Sequence, residues 1–157
     1  MNSDPPTLSG AFPMESQDHR EQLIVIGASA AVFVVACAIP ALMFQNLSGT
    51  EQSWYGGVVF LLGWMGALVG QFGWFANLFL LASWISAGFR WRIGAILFAA
   101  AALLLAAQSF ALFGESIPAD EGGVNKLSLI RLLPGFYVWI ASIGVALIGG
   151  FFVGGRK

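Results

Sequence analysis

Residues 54–88 read WYGGVVFLLGWMGALVGQFGWFANLFLLASWISAG, a stretch without a single Asp, Glu, Lys, Arg or His. Carrying a charge from water into hydrocarbon is costly, so segments that cross a bilayer expel charge. A helix needs about 20 residues to cross a ~30 Å hydrocarbon core. This stretch is far too long for one upright crossing and barely long enough for two. A two-helix hairpin turning at Gly70-Gln71-Phe72-Gly73 is one reading. The preferred reading is a single long, bent or tilted helix over about 56–87, partly interfacial at Trp54-Tyr55, because Trp and Tyr rings favour the headgroup level.

The rest of the chain follows the same rule. Its seven Lys/Arg and eight Asp/Glu fall at Asp4–Glu21, Glu51, Arg90–Arg92, Glu115–Arg131 and the final Arg156-Lys157. Only 10% of residues are charged against 58% apolar, whereas a soluble domain is about a quarter charged. Between the clusters lie three more apolar segments, at about 23–44, 93–113 and 132–153. Pro40 falls in the last turn of the first, and Pro134 opens the last, where proline is tolerated. The expected fold is an all-α membrane protein, a four-helix transmembrane bundle. Residues 1–21 form a polar, Pro-containing, disordered leader, 22–155 the bundle, and 156–157 a basic tail.

Lys and Arg near span ends set orientation. Four spans place Arg20, Arg90, Arg92, Arg156 and Lys157 on one side. Lys126 and Arg131 fall on the other, beside Glu51, Glu115, Asp120 and Glu121. The basic side is then cytoplasmic, with both termini inside, in a multi-pass protein of a bacterial inner membrane.

Gly56, Gly63, Gly66, Gly70, Gly73 and Asn77 recur at helical spacings of seven, three, four, three and four. On one continuous helix these return to one face and form a small-residue seam, with Gly144 in the last segment on a facing surface. Such a seam is either an interface with another protein or the packing surface for helices of the same chain. Gln71, Asn77 and Gln108 are large amides deep in apolar sequence, where each needs a partner across the bundle. Trp54, Trp91 and Trp139 lie near span ends; Trp64, Trp74 and Trp84 step around the second span as packing bulk. Arg90 and Arg92, in a tight Phe-Arg-Trp-Arg turn, are candidates for contact with an anionic lipid headgroup.

No catalytic residue, cofactor or metal site is expected. The one histidine, His19, lies in the polar leader, and no serine in the spans has a neighbouring base in sequence. The lone Cys37 precludes an intramolecular disulfide and reads as a small packing residue. The chain has no basic stripe for nucleic acid. Leu133-Pro134-Gly135-Phe136 resembles a tract in the small four-helix subunit of bacterial tripartite tricarboxylate transporters; the likeness covers about one span and implies a role for no residue here.

The functional expectation is therefore a non-catalytic accessory or scaffolding subunit of a larger membrane complex, with membrane lipids and other transmembrane helices (another subunit or a second copy) as partners. Two alternatives remain: a homo-oligomeric transporter or channel for a neutral solute or lipid, and a membrane immunity or stress-protection protein.

Overall fold

Pro40 does more than bend a helix. Its ring removes a backbone N–H and disfavours helical dihedrals at the residue before it, and helix α1 (Met14–Ala38) stops two residues short of it. The chain then runs extended as strand β1 (Pro40–Asn46). Asn46 turns it back: its Oδ1 accepts from the Ser48 and Thr50 backbone N–H groups at 3.1 and 2.8 Å, and Gly49 takes the left-handed φ of 81°. Strand β2 (Glu51–Tyr55) returns antiparallel to β1.

The computed structural model describes residues 14–118 and 126–152. Helix accounts for 73% of them, so the helical expectation holds for the bulk of the chain. The sheet is a departure from it. Strands β3 (Ser116–Pro118) and β4 (Lys126–Leu132) fall almost wholly in the charged stretch 115–131 between the last two expected spans, which reads in sequence as a polar loop. The four strands are antiparallel in the order β2-β1-β4-β3. β4 alternates, with Leu127 and Leu129 turned inward between exposed Lys126, Ser128 and Ile130, until a register shift resets the face at Leu132.

The stretch 54–88 is likewise not one helix. Helix α2 (Gly56–Leu62) tightens into a 3₁₀ segment, Gly63–Val69. Gly70 then adopts φ 81°, its N–H bonding to the Ala67 carbonyl at 3.2 Å while the Gln71 N–H reaches Gly66 at 2.9 Å. This double bond across a left-handed residue ends a helix. A short 3₁₀ turn, Gly73–Phe75, leads into α3 (Ala76–Gly88). Both ends of the 56–69 arm lie beside the sheet: the Gly56 N–H donates to Ile39 O at 3.0 Å, and Gln108, leading toward β3, holds Phe72 N and Gly70 O. The arm leaves the sheet end and comes back to it.

Helix α4 (Arg92–Ala107) continues as a 3₁₀ segment to Gly114, and α5 is Pro134–Phe152. Of the four expected spans, two are matched by helical stretches long and apolar enough to cross a membrane, Arg92–Phe113 and Pro134–Phe152. The other two fall short because Pro40 cuts the first and Gly70 the second, leaving apolar helices Gln22–Ala38 and Gly73–Gly88. The leader is helical from Met14 onward; residues 1–13, 119–125 and 153–157, and with them the expected basic 156–157 end, lie outside the described residues.

All four strands attach at one end of the helices. The opposite end carries Arg20 and the α3–α4 turn with Arg90 and Arg92 exposed. In that turn Arg90 has φ 60°, with its N–H on Ala87 O and the Trp91 N–H on Ser86 O. Glycine is the usual occupant of this position, because a Cβ costs about 1–2 kcal/mol in left-handed backbone. Arg90→Gly is therefore expected to be more stable than Arg90→Ala, which equally lacks the arginine side chain, by about 1 kcal/mol, read as a higher thermal midpoint in detergent; equal midpoints would mean the left-handed backbone carries no such cost.

Packing among the helices is inverted relative to a protein folded in water. Fully buried positions are small: Ser29, Ala76, Ser83, Ala95, Ala99, Ala102, Ala106 and Ser142, with Leu80 and Ile143 the large exceptions. Large side chains point out, among them Ile24, Val34, Leu61, Leu68, Leu97, Leu104 and Ile148. Small residues bring backbones close, and hydroxyls join them. Ser29 Oγ donates to Ser142 O at 2.8 Å and accepts from Trp84 Nε1 at 2.9 Å, tying α1, α3 and α5 together. Close approach and such bonds hold helices together where lipid removes the hydrophobic drive between them.

Candidate functional site

A cavity of about 620 Å³ lies beneath the sheet. Phe33 and Cys37 of α1, Leu42, Phe44 and Trp54 of the sheet, the 56–69 arm, and Phe136 and Trp139 of α5 line it, and it is open to the outside on one side. The sheet contributes because the inward side chains of β1 and β4 form their own cluster, Leu42, Phe44, Leu129 and Leu132, on Phe136 of α5. A volume in the range of about 300–1,000 Å³ suits a small-molecule ligand. The wall is almost wholly apolar.

Gly56, Gly63, Gly66, Gly73 and Asn77 all line this cavity. They arrive there because the chain folds back at Gly70, not because one helix face carries them. Gly56 sits against the α1 backbone, and a Cβ built on it would fall on the Ala36 carbonyl oxygen. A Cβ on Gly63 would lie 2.6 Å from Trp74 Cδ1, and one on Gly73 2.6 Å from Ser109 Oγ. Gly66 abuts Gln71 O, at 3.1 Å from the added carbon, inside its own turn. Gly70 makes the turn and faces open space, as does Gly144 on α5. Arg90 and Arg92 belong to the far end and take no part.

Two polar side chains matter here. Asn77 is held at both ends of its amide: its Oδ1 accepts from Trp139 Nε1 and its Nδ2 donates to Trp74 O, each at 2.9 Å. Gln71, 7% exposed, donates from Nε2 to Glu115 Oε2, while its own Oε1 is buried without a partner. The carboxylate fixes the amide's sense, since a flipped amide would set oxygen against oxygen. Gln71 Oε1 is thereby turned into the protein, with under 1 Å² of accessible surface.

Glu115, Trp139, Phe136 and Leu127 were not among the residues anticipated. Glu115 lies 44 positions from Gln71 in sequence, and no local spacing could pair them. Among the described residues no three His, Cys, Asp or Glu side chains converge. The chain matches no family model, no curated protein and no solved structure.

Proposed function

We propose that this chain is an integral membrane protein that holds a neutral, apolar molecule in the cavity under its sheet, working by binding and not by catalysis. The observation that carries this reading is the cavity itself, whose wall is built from aromatic rings, aliphatic side chains and bare glycine backbone. Four segments serve as membrane helices: α1, Gly73–Gly88, α4 with its 3₁₀ extension, and α5. The two short apolar stretches, Gln22–Ala38 of α1 and Gly73–Gly88, reach about 24–26 Å at about 1.5 Å per residue, and a bilayer accommodates such mismatch by thinning at modest cost. The end carrying Arg20, Arg90 and Arg92 faces the cytoplasm of a bacterial inner membrane, and the sheet faces out.

Cysteine labelling tests the arrangement. In a Cys37→Ala background, a cysteine replacing Ser48 in the β1–β2 turn should react with an impermeant thiol reagent in intact cells. One replacing Gly88 should react only after lysis. The reverse pattern inverts the protein, and labelling of both in intact cells rejects this membrane topology.

A second reading, an accessory subunit that docks other transmembrane helices, draws on small residues facing outward. Gly27, Ala28 and Ala31 are exposed on α1, and Gly144 on α5 has nothing opposite it. Co-purification in mild detergent tests it; a monodisperse monomer from its native membrane counts against it.

A further inference from the structure

We infer that the cavity takes one acyl chain of a bilayer phospholipid, received sideways from the leaflet on the sheet side past the 56–69 arm. This rests on the reading of the cavity as a ligand site and adds the ligand's class and the side from which it comes. Three observations carry it.

The mouth of the cavity lies at the arm. Among the described residues lining the cavity, the exposed ones are Phe60, Leu62, Met65, Leu68 and Val69, and all five belong to 56–69. The other walls are buried or half-buried, with Phe44 and Phe136 each 3% exposed.

The rim is built for hydrocarbon and not for water. Residues 56–69 read GGVVFLLGWMGALV, with no charge and no polar side-chain group beyond the Trp64 indole, and none of them is buried. An exposed apolar patch of this kind marks a surface that meets a membrane or a partner. Irregular backbone lies at membrane depth only where the protein satisfies its polar groups, and the arm meets that condition. At the Gly70 turn, Gln108 Nε2 donates to Gly70 O at 3.2 Å and Gln108 Oε1 accepts from Phe72 N at 3.0 Å. Trp74 Nε1 donates to Phe60 O at 2.7 Å. The arm thus dips from the sheet side into the bilayer and returns as a re-entrant segment.

What surrounds the mouth decides what fills the cavity. A void of about 620 Å³ deprives the atoms that line it of contacts on one side, and an apolar void stays dry and admits apolar molecules. At this rim the molecules at hand are lipid chains. One chain passes the apolar rim while its headgroup stays at the interface beside the sheet, so no charge has to enter.

The full chain is reconstituted in phosphatidylcholine vesicles holding a trace of phosphatidylcholine with a diazirine in one acyl chain, then irradiated, and the adducts are mapped by mass spectrometry. They should form on Phe44, Phe136 and Trp139 inside the cavity as well as on Leu97, Leu104 and Ile148 on the outer helix surfaces. Val59→Trp puts an indole into the cavity and should remove most interior adducts while the outer ones stay. If this variant does not fold, Met65→Trp, at a half-exposed rim position, should have the same effect by narrowing the mouth. Interior adducts that survive the substitution overturn the inference.

A parallel sample receives a short alkyl diazirine without a headgroup. Interior adducts from this probe alone overturn the inference and leave the cavity reading standing, with a smaller apolar ligand. Interior adducts from neither probe refute the ligand cavity itself. A nitroxide attached after Leu68→Cys in the Cys37→Ala background, at a position 79% exposed, reports the surroundings of the arm. It should be more accessible to oxygen than to a water-soluble nickel chelate; the reverse puts the mouth in water and overturns the inference.

Discussion

Gly56→Ala is expected to be the most damaging single-methyl change in the chain, lowering stability by about 3 kcal/mol or preventing accumulation of folded protein. The new Cβ would overlap the Ala36 carbonyl oxygen and sit 3.1 Å from Cys37 Cα. Both are backbone atoms, so no rotamer change relieves the clash. Either α2 moves away from α1, which breaks the bond from Gly56 N to Ile39 O, or α1 bends. Alanine normally gains up to about 1 kcal/mol over glycine within a helix, which makes the sign of the result decisive. Gly144→Ala is the control. It lies within α5 with nothing inside 4 Å of an added Cβ, so it should raise the thermal midpoint by the propensity alone. Equal behaviour of the two variants would show that the α1–α2 contact is not a tight one.

The second large effect concerns Asn77. Replacing it with leucine strips the acceptor from Trp139 Nε1 and the donor from the Trp74 carbonyl. An orphaned polar group in an apolar interior costs about 1–3 kcal/mol. Part of that cost belongs to the indole N–H and disappears when the N–H does. Trp139→Phe should therefore cost less in the Asn77→Leu background than in the parent protein, a coupling a double-mutant cycle measures directly. Strict additivity would mean that the α3–α5 bond contributes nothing to the fold.

Expulsion of charge was enough to find two of the long helical stretches. α4 with its 3₁₀ extension, and α5, begin and end within two residues of the segments read from sequence, because nothing inside 93–113 or 134–152 breaks the helical run. The sheet was hidden for a physical reason. Pro40–Asn46 follows α1 without a polar break, so a 22-residue apolar run reads as one crossing, and only Pro40 marks where its backbone changes from helix to strand. Lys126–Leu132 does alternate, but charges at both ends made it look like a loop. The glycines and Asn77 were picked out by a helical period that presumes an unbroken helix. Their gathering around one cavity instead depends on the left-handed turn at Gly70, a signal indistinguishable in sequence from the other glycines around it. Gln71 stood out as an amide in apolar surroundings; its partner Glu115 could not, since only the fold brings them together.

β1 occupies the middle of the sheet, yet its two neighbours arrive at very different times. β2 follows within a few residues. β4 pairs with it only after about ninety more residues have been made, a separation whose closure costs more entropy than any local hairpin. During synthesis the β1–β2 hairpin must wait with one edge open while α2, α3 and α4 are delivered, and the edge is sealed only when the start of α5 brings β4 alongside. Assembly order thus places the roof last. A chain interrupted before β4 would retain its first helices but display an unpaired strand edge, the feature that promotes aggregation of β-sheets, so β4 also serves as the checkpoint for completion of the sheet.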